Sequence, residues 1–342
     1  MGETKIYMLL DYRGTFYSST EEVAGSMNVG KLANLFEEQG YAVVVERFNQ
    51  VDFRSEKYRD AYVLYQSSED PDLKYKDYIE DILLGLELKG AILIPSFHQF
   101  RAHHNKVFME VLRDCSGIAA IQNVSSRKFG TLGEFTHTLE EEVIPLVIKP
   151  GAGSRSAGVG LGRSYREARR YAKIISRSFS LINIRREIRG LVTGRGYKPI
   201  SLFRNKFITQ NFVSGLTHDY KILVYFDKFY PLRRENREND FRASGSGRLS
   251  FSRQVPDGLL DYVELVYQSF NTPFISMDVA ARNGEHFLLE FQFVSFGQYA
   301  LEKSPFFFRR SGGVWTIVDA PSDLETTFAY AVDAYIKNIF LR

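Results

Sequence analysis

The chain has 342 residues, 44% of them hydrophobic and 25% charged, with a formal net charge of +3. Those proportions fit a globular protein of two or three domains and offer no charge argument for nucleic acid. The single cysteine, Cys115, excludes a disulfide framework or a cysteine-built metal centre within one chain, and it suits a reducing cytoplasm.

The first apolar run, Ile6–Leu10, is too short for a signal peptide. Ile6 stands where a myristoylation motif wants Ser or Thr, and no stretch reaches membrane-spanning length. Lys5–Asp11 reads as a strand. Thr20–Gln39 reads as a helix stopped by Gly40. Tyr41–Glu46 and Ala61–Tyr65 are strands, Tyr75–Leu88 a helix ended by Gly90, and Ala91–Pro95 a fourth strand. Strands alternating with helices imply a parallel sheet with helices on its faces. His103–Arg113 is an amphipathic helix. On it the adjacent His103 and His104 point in different directions and make a poor metal pair. Cys115, before Gly117, reads as a small core hydrophobe.

Leu146-Val-Ile-Lys149 is a strand ending in a lysine. Five glycines follow between Gly151 and Gly162, and a helix begins at Tyr165. Glycine lets the main chain approach an anion without Cβ clashes, so this loop suits phosphates. It is neither a Walker A loop, since no Gly-Lys-Ser/Thr closes it, nor the dinucleotide fingerprint, since Gly151 and Gly153 lack the third glycine. Arg185–Asn205 is basic and reads as an irregular connector or inserted hairpin. From Phe207 the pattern changes to antiparallel-looking strands at Phe207–Val213, Tyr220–Phe226 and Phe287–Phe293, and Asp323–Leu341 closes the chain as a helix. The second half is therefore α+β.

Asp278 and Glu290 each sit in an apolar strand, joined by the polar Arg282-Asn-Gly-Glu285. A hairpin brings two such carboxylates side by side, where they repel. A divalent cation removes that cost, and an ion pair with an arginine is the alternative. Gln292, two residues on, shares the face of Glu290 and adds an amide oxygen, a set suited to Mg²⁺ or Mn²⁺. Pro231–Gly247 is dense in arginine, whose forks match phosphate and carboxylate oxygens, although Arg237 reads as a solvated loop residue.

Taken in order, a lysine-bearing helix, a strand-lysine-glycine loop, a hinge strand, Asp240-Phe-Arg242 and an Asp…Glu-x-amide hairpin resemble the ATP-grasp superfamily. The resemblance spans residues 103–300 and is nearest to the carboxylate–amine ligases that include ribosomal-protein glutamate ligases. It implies α/β plus α+β architecture in three parts: an N-terminal parallel α/β domain (1–102), a small lid subdomain (103–206) and a C-terminal antiparallel-sheet subdomain with the metal site (207–342). It implies ATP held between the lid loop and the C-terminal sheet. Lys106 and Lys149 would meet phosphates, and Gly153, Ser154, Ser156 and Gly158 would lie in the covering loop. Gln210, Asn211, Phe212 and Val213 would form the adenine hinge, and Asp219 would meet the ribose. Arg234, Arg242 and Lys221 fall at substrate and phosphate positions, and Asp278, Glu290 and Gln292 at metal positions for Mg²⁺ or Mn²⁺.

The chain departs from the family pattern at Gln210, usually glutamate, at Ser244, often asparagine, and at Gln292, usually asparagine. The longer amide of Gln292 requires an adjusted metal geometry. The implied reaction joins a small-molecule carboxylate, such as a sugar acid or amino acid, to an amine in the cytoplasm, with no nucleic acid, no membrane insertion and room for a homodimer. A kinase on the same scaffold and a non-catalytic nucleotide-binding regulator are the alternatives.

Overall fold

The computed structural model describes residues 4–18, 25–153, 157–178, 181–194, 196–238 and 240–339. The chain divides into two compact units, Met1–His103 with Leu216–Arg342, and His104–Gly215.

In the first unit, β1 (Lys5–Leu10), β2 (Ala42–Arg47), β3 (Tyr62–Tyr65) and β4 (Ile92–Ile94) form a parallel sheet ordered β2-β1-β3-β4. All of β3 is buried, as expected of a strand covered on both faces. The intervening helices are α1 (Val29–Glu38), α2 (Lys74–Leu88) and α3 (Phe97–Ala102). The helix expected from Thr20 starts at Val29 instead; residues 19–24 lie outside the described residues. Asn28 is its cap, with its side chain accepting from Lys31 N at 3.0 Å. Before the cap, Ser26 Oγ accepts from Phe16 N at 3.0 Å, which holds this segment in a loop.

The second unit opens with α4 (Lys106–Cys115), capped by Asn105. His103 and His104 therefore lie between α3 and α4 and not on a helix, and His104 has φ +49°. Cys115 is exposed at the end of α4 rather than in a core. Then come β5 (Ser126–Phe129), α5 (Leu132–His137), β6 (Leu146–Pro150), β7 (Gly160–Gly162), α6 (Tyr165–Ile175), α7 (Leu181–Thr193) and β8 (Phe207–Asn211). The sheet is antiparallel, ordered β5-β8-β6-β7. Phe129, Phe135, Leu146, Ile148 and Phe207 pack with Ala168 and Ala172 of α6 as its core. The glycines of β7 serve this packing. A Cβ on Gly162 would lie 2.8 Å from Ala168 Cα, so only glycine lets α6 approach. The segment expected to be irregular, Arg185–Asn205, begins inside α7, with Gly190 against the Tyr197 ring and Glu187 accepting from Tyr197 Oη at 2.7 Å.

The first unit resumes with β9 (His218–Tyr225), β10 (Lys228–Glu235), β11 (Leu249–Ser250), α8 (Leu259–Phe270), β12 (Phe274–Arg282), β13 (Glu285–Gln292), α9 (Tyr299–Lys303), β14 (Phe307–Ser311), β15 (Val314–Val318) and α10 (Leu324–Ile339). Their antiparallel sheet runs β13-β12-β9-β10-β14-β15, with β11 on β10. Of the arginine-dense segment, Arg233 and Arg234 lie in β10, where they pair with Tyr220 and Asp219 of β9. The architecture is the expected one: a parallel α/β sheet, a small antiparallel sheet with helices, and a larger antiparallel sheet.

Candidate functional site

Residues directly paired across antiparallel strands share a face, as do residues two apart along one strand. Asp278 pairs with Glu290 on one side and with Lys221 on the other. Arg234 pairs with Asp219, Ser276 with Gln292. Asp219, Lys221, Arg234, Ser276, Asp278, Glu290 and Gln292 therefore occupy one face of the large sheet. The hairpin that sets this register turns at Asn283 (φ +52°) and Gly284 (φ +80°), the residue pair that tight hairpins favour. A bulge between Asp278 and Val279 shifts the pairing just beyond the two carboxylates.

Arg234 is the hub of this face. Its Nε and Nη2 donate to the two carboxylate oxygens of Asp219 at 2.7 and 2.8 Å. Its Nη2 also lies 2.8 Å from Asp278 Oδ2. Burial opposes the Arg234 charge, yet Asp278 and Asp219 outweigh it and raise its pKa. Burial pushes Asp219 up to about 6 against the lowering pull of Arg234. Burial likewise lowers the Lys221 pKa, opposed by Asp278 and Glu290, and its Nζ donates to Ser276 Oγ at 2.9 Å. Asp278, Glu290 and Gln292 lie on one face and could offer oxygens to Mg²⁺ or Mn²⁺, while Asp278 Oδ2 already takes the ion pair with Arg234 that was the alternative. Arg242 lies in the segment after β10, where its backbone N donates to Asp240 Oδ1 at 3.0 Å. Its guanidinium holds the Asp240 carboxyl below the usual range. Arg237 Nε donates to Ser244 O at 2.9 Å, so this arginine folds its own loop.

In the second unit, Lys106 is buried at the start of α4. Its backbone N donates to Gly151 O at 2.7 Å, and its Nζ to Gly153 O at 2.9 Å. The lysine and the glycine loop are thus brought together. Gly153 (φ +128°) and Gly158 (φ +73°) hold the backbone where side-chain residues are strained. Ser154 and Ser156 lie outside the described residues. Lys149 pairs with Ile208, and Val147 with Gln210, so Lys149 and Gln210 share the sheet face opposite to the core residues Leu146 and Ile148. Asn211 ends β8, exposed, with its N donating to Ser125 O at 3.0 Å; Phe212 and Val213 follow, half-buried.

A buried network that sequence reasoning missed ties β8 to α4. Glu110 and Arg113 of α4 are fully buried. Arg113 Nε donates to Glu110 Oε2 at 2.8 Å and its Nη1 to Ile121 O at 3.0 Å. Ser126 Oγ donates to Glu110 Oε2, and Gln210 Nε2 to Glu110 Oε1, each at 2.7 Å. Gln210 in place of the usual glutamate now has a physical reason, because position 210 faces a carboxylate that needs a donor. The signal in the sequence was the acid and arginine three apart on α4.

No protein-family model matches the chain, and no curated protein matches it in sequence. Solved structures do match. The chain is similar to a RimK-domain ATP-grasp protein from Sphaerobacter thermophilus DSM 20745, 10% identical over 86% of this chain and 92% of that one, at a TM-score of 0.48. It is similar to the D-cycloserine synthetase DcsG, 10% identical over 96% of this chain and 99% of that one, at 0.56. It is also similar to N5-carboxyaminoimidazole ribonucleotide synthetase in its ADP complex, 12% identical over 89% and 74%, at 0.50.

Proposed function

This chain has the ATP-grasp fold, and on that fold we propose an ATP-dependent carboxylate–amine ligase that works through an acyl phosphate. The observation that carries the reading is the single sheet face holding Asp278, Glu290, Gln292, Lys221 and Arg234 in register. Lys106 and Lys149 neutralise phosphate charge, with the backbone around Gly153 and Gly158 covering it. The main chain of Asn211 and Val213 meets the adenine. Asp278, Glu290 and Gln292 would hold Mg²⁺, which supplies charge neutralisation on the β- and γ-phosphates when bound. Asp219, expected at the ribose, has both carboxylate oxygens engaged by Arg234, so its part is to hold that guanidinium in place.

In the first step a substrate carboxylate oxygen attacks the γ-phosphorus, and ADP leaves with the bridging oxygen. Arg242, and Arg234 beside Asp278, stabilise charge on the transferring group, where electrostatic assistance has most effect. In the second step an amine attacks the acyl carbon and phosphate departs, leaving an amide. No side-chain nucleophile is needed. An ADP-bound structure among the similar ones supports the nucleotide assignment.

Calorimetry of ATP binding to the wild type, Lys149→Ala and Glu290→Ala, with and without Mg²⁺, tests the reading. Loss of the lysine should weaken binding by about 1.5–3 kcal/mol, the worth of a charge-assisted contact. Glu290→Ala should abolish the gain from Mg²⁺. Equal affinities across the set would remove the assignment.

A further inference from the structure

Charge is unevenly distributed along this chain. Between Arg163 and Lys206 the sequence carries 10 Arg and 3 Lys against two acids, Glu167 and Glu187, a net of +11 in a chain whose total is +3. The rest of the molecule is therefore net −8. This basic stretch holds α6 and α7 of the second unit.

The α7 helix has an inward side and an outward side. Glu187 and Gly190 face inward, where Glu187 is buried and accepts from Tyr197 Oη and from Ile200 N at 2.9 Å. Ile188, Leu191 and Val192, spaced three and four apart, form a stripe on the outward side. They are 57%, 60% and 80% exposed, well beyond what a solvated helix needs of its aliphatic residues. The exposed Arg185 and Arg189 lie beside that stripe by the same helical spacing. An aliphatic stripe bordered by arginines on a helix too short to span a bilayer is the pattern of a helix lying in a membrane interface. No helix among the described residues is long and apolar enough to cross one.

We propose that the outward face of α7 docks on an anionic lipid surface, with Ile188, Leu191 and Val192 entering the acyl boundary and Arg185 and Arg189 meeting lipid phosphates. Charge complementarity selects an anionic surface. Two copies docked face to face through α7 would set arginine against arginine. The aliphatic stripe selects lipid over nucleic acid, whose phosphates and bases offer nothing to isoleucine, leucine or valine and are met by basic and aromatic side chains instead. An acidic protein shares the charge but needs a matching apolar surface of its own, which a bilayer supplies without specificity.

The test is co-sedimentation of the full chain with phosphatidylcholine vesicles containing about 30 mol% phosphatidylglycerol, against vesicles of phosphatidylcholine alone. The anionic vesicles should bind at least about tenfold more strongly, and raised salt should weaken the binding. Leu191→Ser/Val192→Ser and Arg185→Glu/Arg189→Glu should each reduce it by about tenfold or more. Circular dichroism and thermal melts are recorded for each variant, so that reduced binding is scored only where the fold is retained. Equal binding to both vesicle types, or anionic binding unchanged in the Leu191→Ser/Val192→Ser variant, would overturn the proposal. So would vesicle binding that fails while duplex DNA or an acidic polypeptide binds through the same arginines.

Discussion

Replacing Gln210 by glutamate tests the buried network between β8 and α4. In the native chain Gln210 Nε2 donates to Glu110 Oε1 at 2.7 Å, and neither side chain reaches solvent. Gln210→Glu sets two carboxylates at that spacing, and they cannot both ionise there. One must take a proton, after which it can donate to the other as the amide did. Protonating a glutamate of usual pKa, about 4.3, at pH 7 costs about 3.7 kcal/mol, which caps the penalty. The folded-state pKa of the pair is raised above the unfolded value. The deficit is therefore full above the folded pKa and fades by about 1.4 kcal/mol per unit as pH falls toward the unfolded pKa. Urea unfolding of variant and wild type at several pH values between about 5 and 8 reads the difference directly. A loss of about 3–4 kcal/mol at pH 7 that shrinks to about 1 kcal/mol near pH 5 is expected. A loss that does not change with pH, or no loss, would refute the reasoning.

Gly162→Ala should destabilise the second unit by about 1–3 kcal/mol, seen as a lowered Tm, because its Cβ would stand 2.8 Å from Ala168 of α6. Gly284→Ala has open space around it but a φ of +80°, so strain alone should destabilise the hairpin, by about 1 kcal/mol in urea unfolding. Asp11 is buried, which opposes its charge. Its bonds from Thr15 and Arg13 nonetheless hold its pKa below the usual value. That stability is present above the unfolded pKa of about 3.9 and lost as pH falls through the lower folded value, so Asp11→Asn should flatten the acid limb of the stability curve. An acid limb identical to wild type would count against it.

The alternation of the first hundred residues was readable because β1 and β3 are continuous apolar runs and because Gly40 and Gly90 end helices at the strand entries. The Asp278–Glu290 register was readable for a similar local reason: Asn283-Gly284 turns the hairpin, and alternation sets the face. What escaped the sequence depends on distant partners. Gln210 meets Glu110 across 100 residues, and no periodicity announces that. The partners of Arg234 were not readable either, because Asp219 on β9 and Asp278 on β12 come beside it only through the order of the sheet. The helix α7 was hidden by its charge, of which Arg185 and Arg189 are exposed. The glycine run suggested phosphate alone, yet Gly162 is also what lets α6 pack against the sheet.

The measurement that bears most directly on the ligase is a hydroxylamine trap. The protein is incubated with ATP, Mg²⁺ and a panel of sugar acids and amino acids, and ADP release and products are followed by mass spectrometry. An acyl phosphate reacts with hydroxylamine, so the account predicts a hydroxamate of one acid formed in step with ADP and free phosphate. With the true amine present, an amide should replace it. A stable phosphorylated product indifferent to hydroxylamine would contradict the ligase in favour of a kinase, and tight ATP binding without ADP release from any acceptor would contradict catalysis itself.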